Sequence, residues 1–436
     1  MSETSRRSGI SLLTATAIVV SNMIGTGVFT SLCFEVGGLP TGFSIVMLWL
    51  VGGICAFCGA LCYGELAAAL PRSGGEYHYL SKIFHPSVGF ASGWLSATVG
   101  FAAPIALAAM ALGKYAHDVV PSVSPLTVSL VVCVAVALVH STGTNVASVF
   151  QNAATWMKVA LILVFIVAGL LVEKGQPVSF LPVPGDWNLI ASAPFAISLV
   201  YVMYAYAGWN ASTYIVGEVR DPGRTVPMSV ALGTVLVTLL YVILNIVFMH
   251  VTPIAEIASR KPDFADAAAT HIFGAGGGRI MSSLICLGLV SSISAMTWVG
   301  PRVSMVMGED VKLLAPLAFK TRGGVPIVAL LVQLAIVVGL LWYDSFDTVL
   351  TYVQFSIQLC SFLAVAGVMV LRFTHPDLPR PYRTWGYPVT PLLFLAISAW
   401  MLYYIAKDKP EPSLYGLGTL VLGLAIYFIS PKTNRS

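Results

Sequence analysis

One polar, glycine-containing stretch interrupts the first long apolar segment of the chain: Ser21-Asn22-Met23-Ile24-Gly25-Thr26-Gly27-Val28-Phe29. A helix that only faces lipid would gain nothing from two glycines and three polar side chains at this depth. Irregular backbone inside a membrane is tolerated only where it is buried in protein or lines a cavity. A broken helix also brings free amides and free carbonyls to one point, which favours a charged ligand. The stretch therefore predicts a broken transmembrane helix with a binding site at the break.

The composition indicates a membrane protein throughout. Of the 436 residues, 57% are hydrophobic and only 10% are charged, and the mean hydropathy is +0.86. Apolar runs of about 20 residues fit membrane-crossing helices. They predict twelve spans, near residues 10–34, 43–69, 88–116, 125–141, 148–172, 190–215, 226–251, 279–307, 325–342, 347–372, 387–406 and 413–430. The runs lack the alternation of barrel strands, so we expect an all-α membrane protein.

Charge and motif content exclude several functions. Lys and Arg are concentrated in the loops on one side, which predicts that both termini are cytoplasmic. The net charge of +4 reflects these loops and does not indicate binding to nucleic acid. The chain has no P-loop for ATP, and its seven cysteines lack the ligand set of a zinc site. We predict no metal, no cofactor and no enzymatic activity, so any energy source must be a gradient of ions or substrate.

A second interruption lies in the sixth predicted span: Tyr204-Ala205-Tyr206-Ala207-Gly208-Trp209-Asn210. The first interruption lies in the first helix of spans 1 to 5, and the second lies in the first helix of spans 6 to 10. Matching discontinuities in two halves indicate an inverted repeat with its site at the repeat interface. This predicts a single transmembrane domain, residues 1–436, with one repeat over about 10–172, another over about 190–372 and two further helices over about 387–430. The alternative is that the glycines serve only close helix packing.

Lys158 is the third informative residue, because it lies well inside the fifth predicted span. A cation at such depth costs several kcal/mol unless it is paired or meets water. This favours a functional position inside the bundle. The alternative is that its long side chain extends back to the cytoplasmic edge, which is about 15 Å away at 1.5 Å per residue.

Three other polar residues allow simpler interpretations. Glu65 and Glu218 lie near the predicted inner surface, and we expect each to pair with a nearby arginine rather than to carry protons. Asn210 either caps backbone freed by the second break or lines the pathway.

Four motifs follow one another along the chain: Gly25-Thr26-Gly27-Val28-Phe29; Gly64-Glu65-Leu66 with Pro71-Arg72-Ser73-Gly74-Gly75-Glu76-Tyr77; Gly208-Trp209-Asn210 followed by Glu218 and Pro222; and Arg380-Pro381-Tyr382-Arg383 with Gly386-Tyr387-Pro388. Taken in order, they resemble the amino acid-polyamine-organocation (APC) transporter superfamily over nearly the whole chain. The Gly-Trp-Asn motif is most similar to the L-type amino acid transporter branch and its bacterial relatives. The resemblance implies a LeuT-type fold, with five plus five inverted helices, broken helices 1 and 6, and two peripheral helices.

The resemblance also implies a substrate site at the two breaks, formed by Met23, Ile24, Gly25, Thr26, Gly27, Tyr204, Ala207 and Asn210. In the family, amides and a hydroxyl at the first break, here Thr26 and Gly27, hold the substrate carboxylate. Carbonyls near Met23 and Ile24, and those of Tyr204 and Ala207, hold the ammonium. The physics agrees, because the two ends of a broken helix complement a zwitterion without a charged side chain.

Two further roles follow from the resemblance. An aromatic residue at the position of Tyr204 is the family's outer lid, which makes Tyr204 the expected gate. The lysine of the fifth helix, here Lys158, stands where sodium-coupled relatives keep a sodium ion. A second cation cannot share that space, so the resemblance implies sodium-independent transport.

The sequence departs from the branch in ways that bear on substrate and partner. Tyr204 and Ala207 stand where phenylalanine and glycine are common, and the added bulk favours a small pocket. The outer loop 114–125 has no cysteine, unlike animal members that are disulfide-linked to a heavy chain. We therefore expect no disulfide-linked heavy chain, and a single-chain protein in a bacterial inner membrane.

Two functions from different classes remain. The first is a sodium-independent secondary transporter of small neutral L-amino acids, working by alternating access as an exchanger or a proton-coupled symporter. Its predicted partners are the amino-acid substrate and the lipid bilayer. The second is a non-transporting membrane sensor or receptor that retains an amino-acid pocket. The short tails favour transport, because sensors usually carry a sizeable cytoplasmic output segment.

Overall fold

The computed structural model describes residues 9–173, 175–259, 264–342 and 346–430, apart from the side chains of Asn145 and of residues 346–352. The chain ends, on which the predicted orientation of the termini depends, lie outside these ranges, as do Lys174, Arg260 and Lys261. Within the described ranges the structure is helical, and its β-type pairing is a single bridge between Ile10 and Val219.

The first half of the described chain begins with a helix broken into short pieces. Its helices are α1 Leu12–Met23, α2 Gly27–Thr30, α3 Leu32–Glu35, α4 Gly42–Ala69, α5 Glu76–Ile83, α6 Pro86–Leu95, α7 Ala102–Val119, α8 Pro125–Ser141, α9 Thr144–Leu170 and α10 Asp186–Ile190. A π-helical segment, Ser96–Gly100, joins α6 to α7. Local sequence sets several starts: the Ser11 side chain caps α1 by accepting from the Thr14 amide, and prolines open α6 and α8, where a missing N–H costs nothing.

The second half contains the other broken helix and the longest helix. Its helices are α11 Ala193–Tyr206, α12 Pro222–Val251, α13 Ile254–Ser259, α14 Phe264–Phe273, α15 Gly277–Asp310, α16 Ile327–Leu341, α17 Phe346–Thr374, α18 Val389–Asp408 and α19 Pro410–Ile429. Two 3₁₀ segments, Ala211–Glu218 and Lys312–Ala318, follow α11 and α15. The segment 252–278, which lies between two predicted spans, holds two short helices, α13 and α14.

Nine helical segments in the described ranges are long and apolar enough to cross a membrane. Helices occur at all twelve predicted places, but α8, α11 and α16 have only 17, 14 and 15 residues. The chain is thus a multi-pass membrane protein, and helix length alone does not yield twelve spans. One of the three short helices, α11, is short because it stops at its break. A helix of this length crosses a bilayer only where the surrounding lipid or protein accommodates the difference in length.

The broken first helix lies at the centre of the bundle. Its apolar window is 83% buried, against 33% for α18 and 17% for α19. The piece α1 packs against α9, α12 and α15, while α11 packs against α4 and α2. The last two helices therefore have mostly exposed apolar surface, as expected of helices at the edge of a membrane bundle.

Glu65, at the end of α4, has the arginine partners that the sequence predicts. Its carboxylate accepts from Arg372 at 2.6 and 2.8 Å and from the Thr384 amide at 2.7 Å. The Arg380 guanidinium lies 3.5 Å away. The prediction that Glu65 serves an ion pair is confirmed.

Candidate functional site

The first helix is interrupted between Met23 and Gly27. Ile24 ends the helical hydrogen bonding with a backbone ψ of 88°, and the helix resumes as α2. Within the described chain, the amides of Thr26, Gly27 and Val28 have no backbone acceptor. Unsatisfied N–H groups at the start of a helix carry partial positive charge. The break therefore offers three donors suited to an anion.

The sixth helix is interrupted just after Tyr206. Ala207 has an extended ψ of 142°, and Gly208 has a φ of +101°, a left-handed conformation that glycine adopts without strain. The chain then continues from Ala211 as a 3₁₀ segment. Within the described chain, no backbone amide donates to the Ala207 carbonyl, so the break leaves this acceptor free.

The two breaks touch each other, and two glycines make this contact possible. A Cβ atom on Gly27 would lie 2.7 Å from the Cα atom of Ala205, and a Cβ on Gly208 would lie 2.8 Å from the Cβ of Asn22. The Tyr241 hydroxyl, on α12, ties the two sides together. It lies 2.7 Å from the Met23 carbonyl oxygen and 3.0 Å from that of Ala205.

A cavity of about 100 Å³ lies where the breaks meet. It brings together most of the residues predicted for the site: Met23, Gly25, Thr26, Gly27, Tyr204, Ala207 and Asn210. Ile24 lies elsewhere, since it lines a separate cavity of about 20 Å³ together with Gly25 and Lys158. The chain at the first break therefore separates two cavities, a larger one on one side and a smaller, mostly apolar one on the side of Lys158.

Lys158 is only 3% exposed. Its Nζ donates to the Ile24 carbonyl at 2.6 Å and to Ser292 Oγ at 2.7 Å, and it lies 3.4 Å from the Ser21 carbonyl. No carboxylate forms an ion pair with it in the described part of the chain. Its side chain does not extend to the edge of the bundle, and it joins α9 to the first break and to α15.

Sequence reasoning missed Glu76, which also lines the cavity. Its carboxylate accepts from Tyr63 at 2.7 Å and from Asn210 Nδ2 at 2.9 Å, and it makes a short contact with the Tyr214 hydroxyl. Gly75, at a φ of +53°, makes this possible, because a side chain there would overlap the Tyr214 ring. The available signal was a carboxylate directly after two glycines. Asn210 thus binds a side chain at the edge of the cavity.

The third predicted span, residues 88–116, supplies another part of the wall that the sequence did not indicate. Its π-helical segment Ser96–Gly100 and Phe101 border the cavity. The ring of Phe101 packs edge-on against Tyr214, with the ring centroids 5.2 Å apart. Such π-helical segments occur often at functional sites, but nothing in local composition marks this one.

An ion pair lies below the second break, on the side predicted to be cytoplasmic. Arg302 Nε donates to Glu218 at 2.7 Å, and the Trp298 indole lies 3.2 Å from the same carboxylate. The Glu218 carbonyl accepts from the Ile10 amide at 2.8 Å. The prediction of an arginine partner for Glu218 is confirmed, and the pair links the start of helix 1 to α15.

The helices and the central cavity define a multi-pass helical membrane protein whose two broken helices share an internal space. The family profile described as amino acid permease matches residues 10–427. The chain therefore belongs to the amino acid permease family, within the APC superfamily, as the motifs indicated.

Several transporters are similar to this chain along most of its length. The mouse b(0,+)-type amino acid transporter 1 is 26% identical over 440 residues, covering 98% of this chain and 88% of that protein. The human Large neutral amino acids transporter small subunit 2 is 27% identical, covering 96% and 80%. The Pongo abelii Cystine/glutamate transporter is 27% identical, covering 96% and 84%. These names describe transporters, which agrees with the prediction of no enzymatic activity.

Proposed function

We propose that this chain is a sodium-independent secondary transporter of amino acids that works by alternating access. The proposal includes a LeuT-type arrangement of twelve spans, with repeats over about 10–172 and 190–372 and peripheral helices over about 387–430. Membership of the amino acid permease family supports transport, and the names of the relatives support amino acids as the cargo. Matching breaks at equivalent places in the two halves support the inverted repeat.

One observation carries the proposal: the first break has amides without a backbone acceptor in the described chain, and two of them belong to Thr26 and Gly27, which line a cavity whose other wall is the second break. The amides of Thr26, Gly27 and Val28 would hold a substrate carboxylate, and the Thr26 hydroxyl would add a fourth donor. This uses the positive end of a helix for the anion. No fixed charged side chain is needed, which suits a substrate that arrives and leaves.

The acceptors for the substrate ammonium are proposed at the second break. The Ile24 carbonyl already accepts from Lys158 and Ser292, and the Met23 carbonyl from Tyr241 and the Gly25 amide. Each carbonyl has two lone pairs, so these two have little capacity left. The Tyr204 and Ala207 carbonyls would therefore carry most of the interaction.

Lys158 supports independence from sodium. Its ammonium donates to the Ile24 carbonyl, an oxygen of the first break of the kind that binds sodium in transporters with broken helices. A fixed cation at that place would repel sodium and would hold the break in shape without it. The same contact would let α9 and α15 move with the first break.

Cavity size and lining support small neutral substrates. A volume of about 100 Å³ corresponds to about three water molecules at about 30 Å³ each, which leaves little room for a bulky substrate side chain. Among the described residues that line the cavity, Glu76 is the only acidic or basic one. Tyr204, which is partly exposed, is proposed as the outer lid.

Uptake by the purified chain in proteoliposomes tests this proposal. A panel of labelled amino acids would be offered with sodium or choline outside, with and without unlabelled substrate inside, and with and without a pH gradient. We expect uptake of small neutral amino acids in choline and without any partner protein. Binding without uptake under every condition would instead support a sensor. Accessibility of the termini in cells would test their cytoplasmic placement, proposed here for a bacterial inner membrane.

A further inference from the structure

We propose that Glu76 binds the proton that accompanies the amino acid, which makes the chain a proton-coupled symporter. This inference rests on the proposed transport function and deepens it, since family membership leaves exchange and symport open. In it, the carboxylate takes a proton from water on one side of the membrane and releases it to water on the other. One proton moves with each substrate, and no covalent bond other than O–H forms or breaks.

Glu76 is the acidic residue that lines the cavity, and its side chain is buried from the outer surface of the protein. Its exposed fraction is 2%, and it lines the cavity at the first residue of α5. Donors reach it from three separate elements: Tyr63 of α4, Asn210 of the second break and Tyr214 of the 3₁₀ segment.

The charge around Glu76 suits a site that gains and loses a proton. In the part of the chain that the structure describes, no lysine or arginine forms an ion pair with it. The titratable groups that face it are Tyr63, Tyr79, Tyr214 and Cys360. A buried carboxylate without a cation is expensive to keep ionised. Burial raises the pKa of Glu76, and the hydrogen bonds from Tyr214, Tyr63 and Asn210 partly oppose that rise.

The geometry favours a proton over a charged part of the substrate as the partner. Both carboxylate oxygens already accept hydrogen bonds, Oε1 from two donors and Oε2 from Tyr214. An ammonium or guanidinium group would need to displace these donors and to find room beside them. A proton needs no room, because the Tyr214 hydroxyl can turn and accept from the new O–H.

Asn210 links this proton to the substrate. Its amide donates to Glu76 Oε1, and it lies three residues after Ala207, whose free carbonyl is proposed to hold the substrate ammonium. An amide NH₂ group can only donate, so it binds the ionised carboxylate better than the protonated one. Protonation of Glu76 therefore weakens the hydrogen bond that holds the second break. Because the substrate is proposed to bind at this break, its affinity depends on the protonation of Glu76.

The test compares Glu76→Gln with the wild type in proteoliposomes that contain a pH-sensitive dye. In the wild type, an inward proton gradient should drive accumulation of substrate, with an inside-to-outside concentration ratio of up to about tenfold for each pH unit. Addition of substrate should also acidify the lumen. Glu76→Gln mimics the protonated carboxyl, so exchange should remain measurable while both proton responses are lost. Glu76→Asp should restore part of the response. Glu173→Gln, at an exposed position, is the matched control and should behave as wild type.

A second variant covers the case in which Glu76→Gln does not fold. Tyr214→Phe keeps the carboxylate and removes one hydrogen-bond donor to its ionised form. The midpoint of the pH dependence of uptake should therefore lie at a higher pH in this variant than in the wild type. An unchanged midpoint contradicts the proposal. Wild-type exchange that does not respond to the proton gradient also contradicts proton coupling, but it leaves the proposed transport function intact. Loss of lysine or arginine uptake in Glu76→Gln with proton responses intact would make Glu76 a substrate ligand. Failure of wild-type exchange with every amino acid contradicts the transport function itself.

Discussion

The Nζ atom of Lys158 lies 2.6 Å from the carbonyl oxygen of Ile24, the residue at which the first helix breaks. Ser292 Oγ lies 2.7 Å from the same nitrogen and 2.6 Å from the same carbonyl. The three groups form a closed triangle in a region with almost no access to water. The conformation of the break therefore depends on a residue of α9 and a residue of α15.

Lys158→Ala should abolish most uptake while the protein is still produced and inserted. The substitution leaves the Ile24 carbonyl with the Ser292 hydroxyl alone, so the break loses its link to α9. Replacing sodium with choline should leave wild-type uptake unchanged. Labelled uptake and size-exclusion profiles measure both effects, and Lys114→Ala, at an exposed position of α7, is the control. A strong sodium requirement in the wild type would show that Lys158 is not a substitute for sodium.

Gly25 and Gly27 should respond differently to added side chains. A Cβ on Gly25 meets open space, whereas one on Gly27 would lie 2.7 Å from the Ala205 backbone. Gly25→Ala should fold normally and lower the size limit for substrates. Gly27→Ala should cost about 1–3 kcal/mol of stability through overpacking, and Gly27→Val more, with loss of binding. Melting temperatures and competition by substrates of increasing size measure this. Equal, mild effects at both positions would mean that the glycines of the break serve only close helix packing.

Thr26→Ala should weaken substrate binding while leaving the backbone amides in place. The loss of one hydroxyl donor to a carboxylate is expected to cost about 1–2 kcal/mol, or roughly five- to thirty-fold in Kd. Thr30→Ala is the matched control, because its hydroxyl donates to the Thr26 carbonyl at 3.2 Å and Thr30 does not line the cavity. Ligand titration of the purified protein measures both. If the two variants bind equally well, the carboxylate lies elsewhere.

Tyr204 should act as a gate through its ring rather than its hydroxyl. The hydroxyl is within hydrogen-bonding reach of the Thr26 side chain, so Tyr204→Phe frees Thr26 and should keep transport, with a shift toward larger apolar substrates. Tyr204→Ala removes the cover over the cavity, so binding should remain measurable while translocation slows severely. Equilibrium binding and initial uptake rates separate the two. Wild-type rates in Tyr204→Ala would place the outer gate at another residue.

Breaking the Glu218–Arg302 pair should open the side of the cavity predicted to be cytoplasmic. The side chain of Arg302 is 4% exposed and that of Glu218 is 23% exposed, so loss of the arginine would leave a mostly buried carboxylate without its cation, which is destabilising. Arg302→Ala should therefore speed hydrogen exchange over residues 211–218. Arg72→Ala is the control, because its pairs with Glu309 and Asp310 are about one-third exposed and pairs at the surface contribute at most about 1 kcal/mol. Equal exchange in both variants would mean that the Glu218 pair does not hold this side closed.

Sequence reasoning reached the features that depend on local composition. Apolar runs predicted the helical membrane class, and polar residues with glycine inside such runs predicted breaks at Gly25 and Gly208, because interrupted backbone needs a reason at that depth. Lys158 stood out for the same reason. The paired arginines of Glu65 and Glu218 were also predictable, since a carboxylate near a basic inner surface finds a cation. Helix count was less accessible, because length alone does not show which short helices cross the membrane.

Tertiary structure alone decided how these features meet. Glu76 looked like a loop residue, and only packing of α4, α5 and the 3₁₀ segment buries it beside Asn210. Tyr241 was one aromatic among many, yet it ties the two breaks together. Ile24 seemed to face the same space as Thr26, but its neighbours place it toward Lys158. The physical reason is common to all three: charge and hydrogen-bond partners from distant parts of the chain decide a polar group's role, and a sequence pattern records only near neighbours.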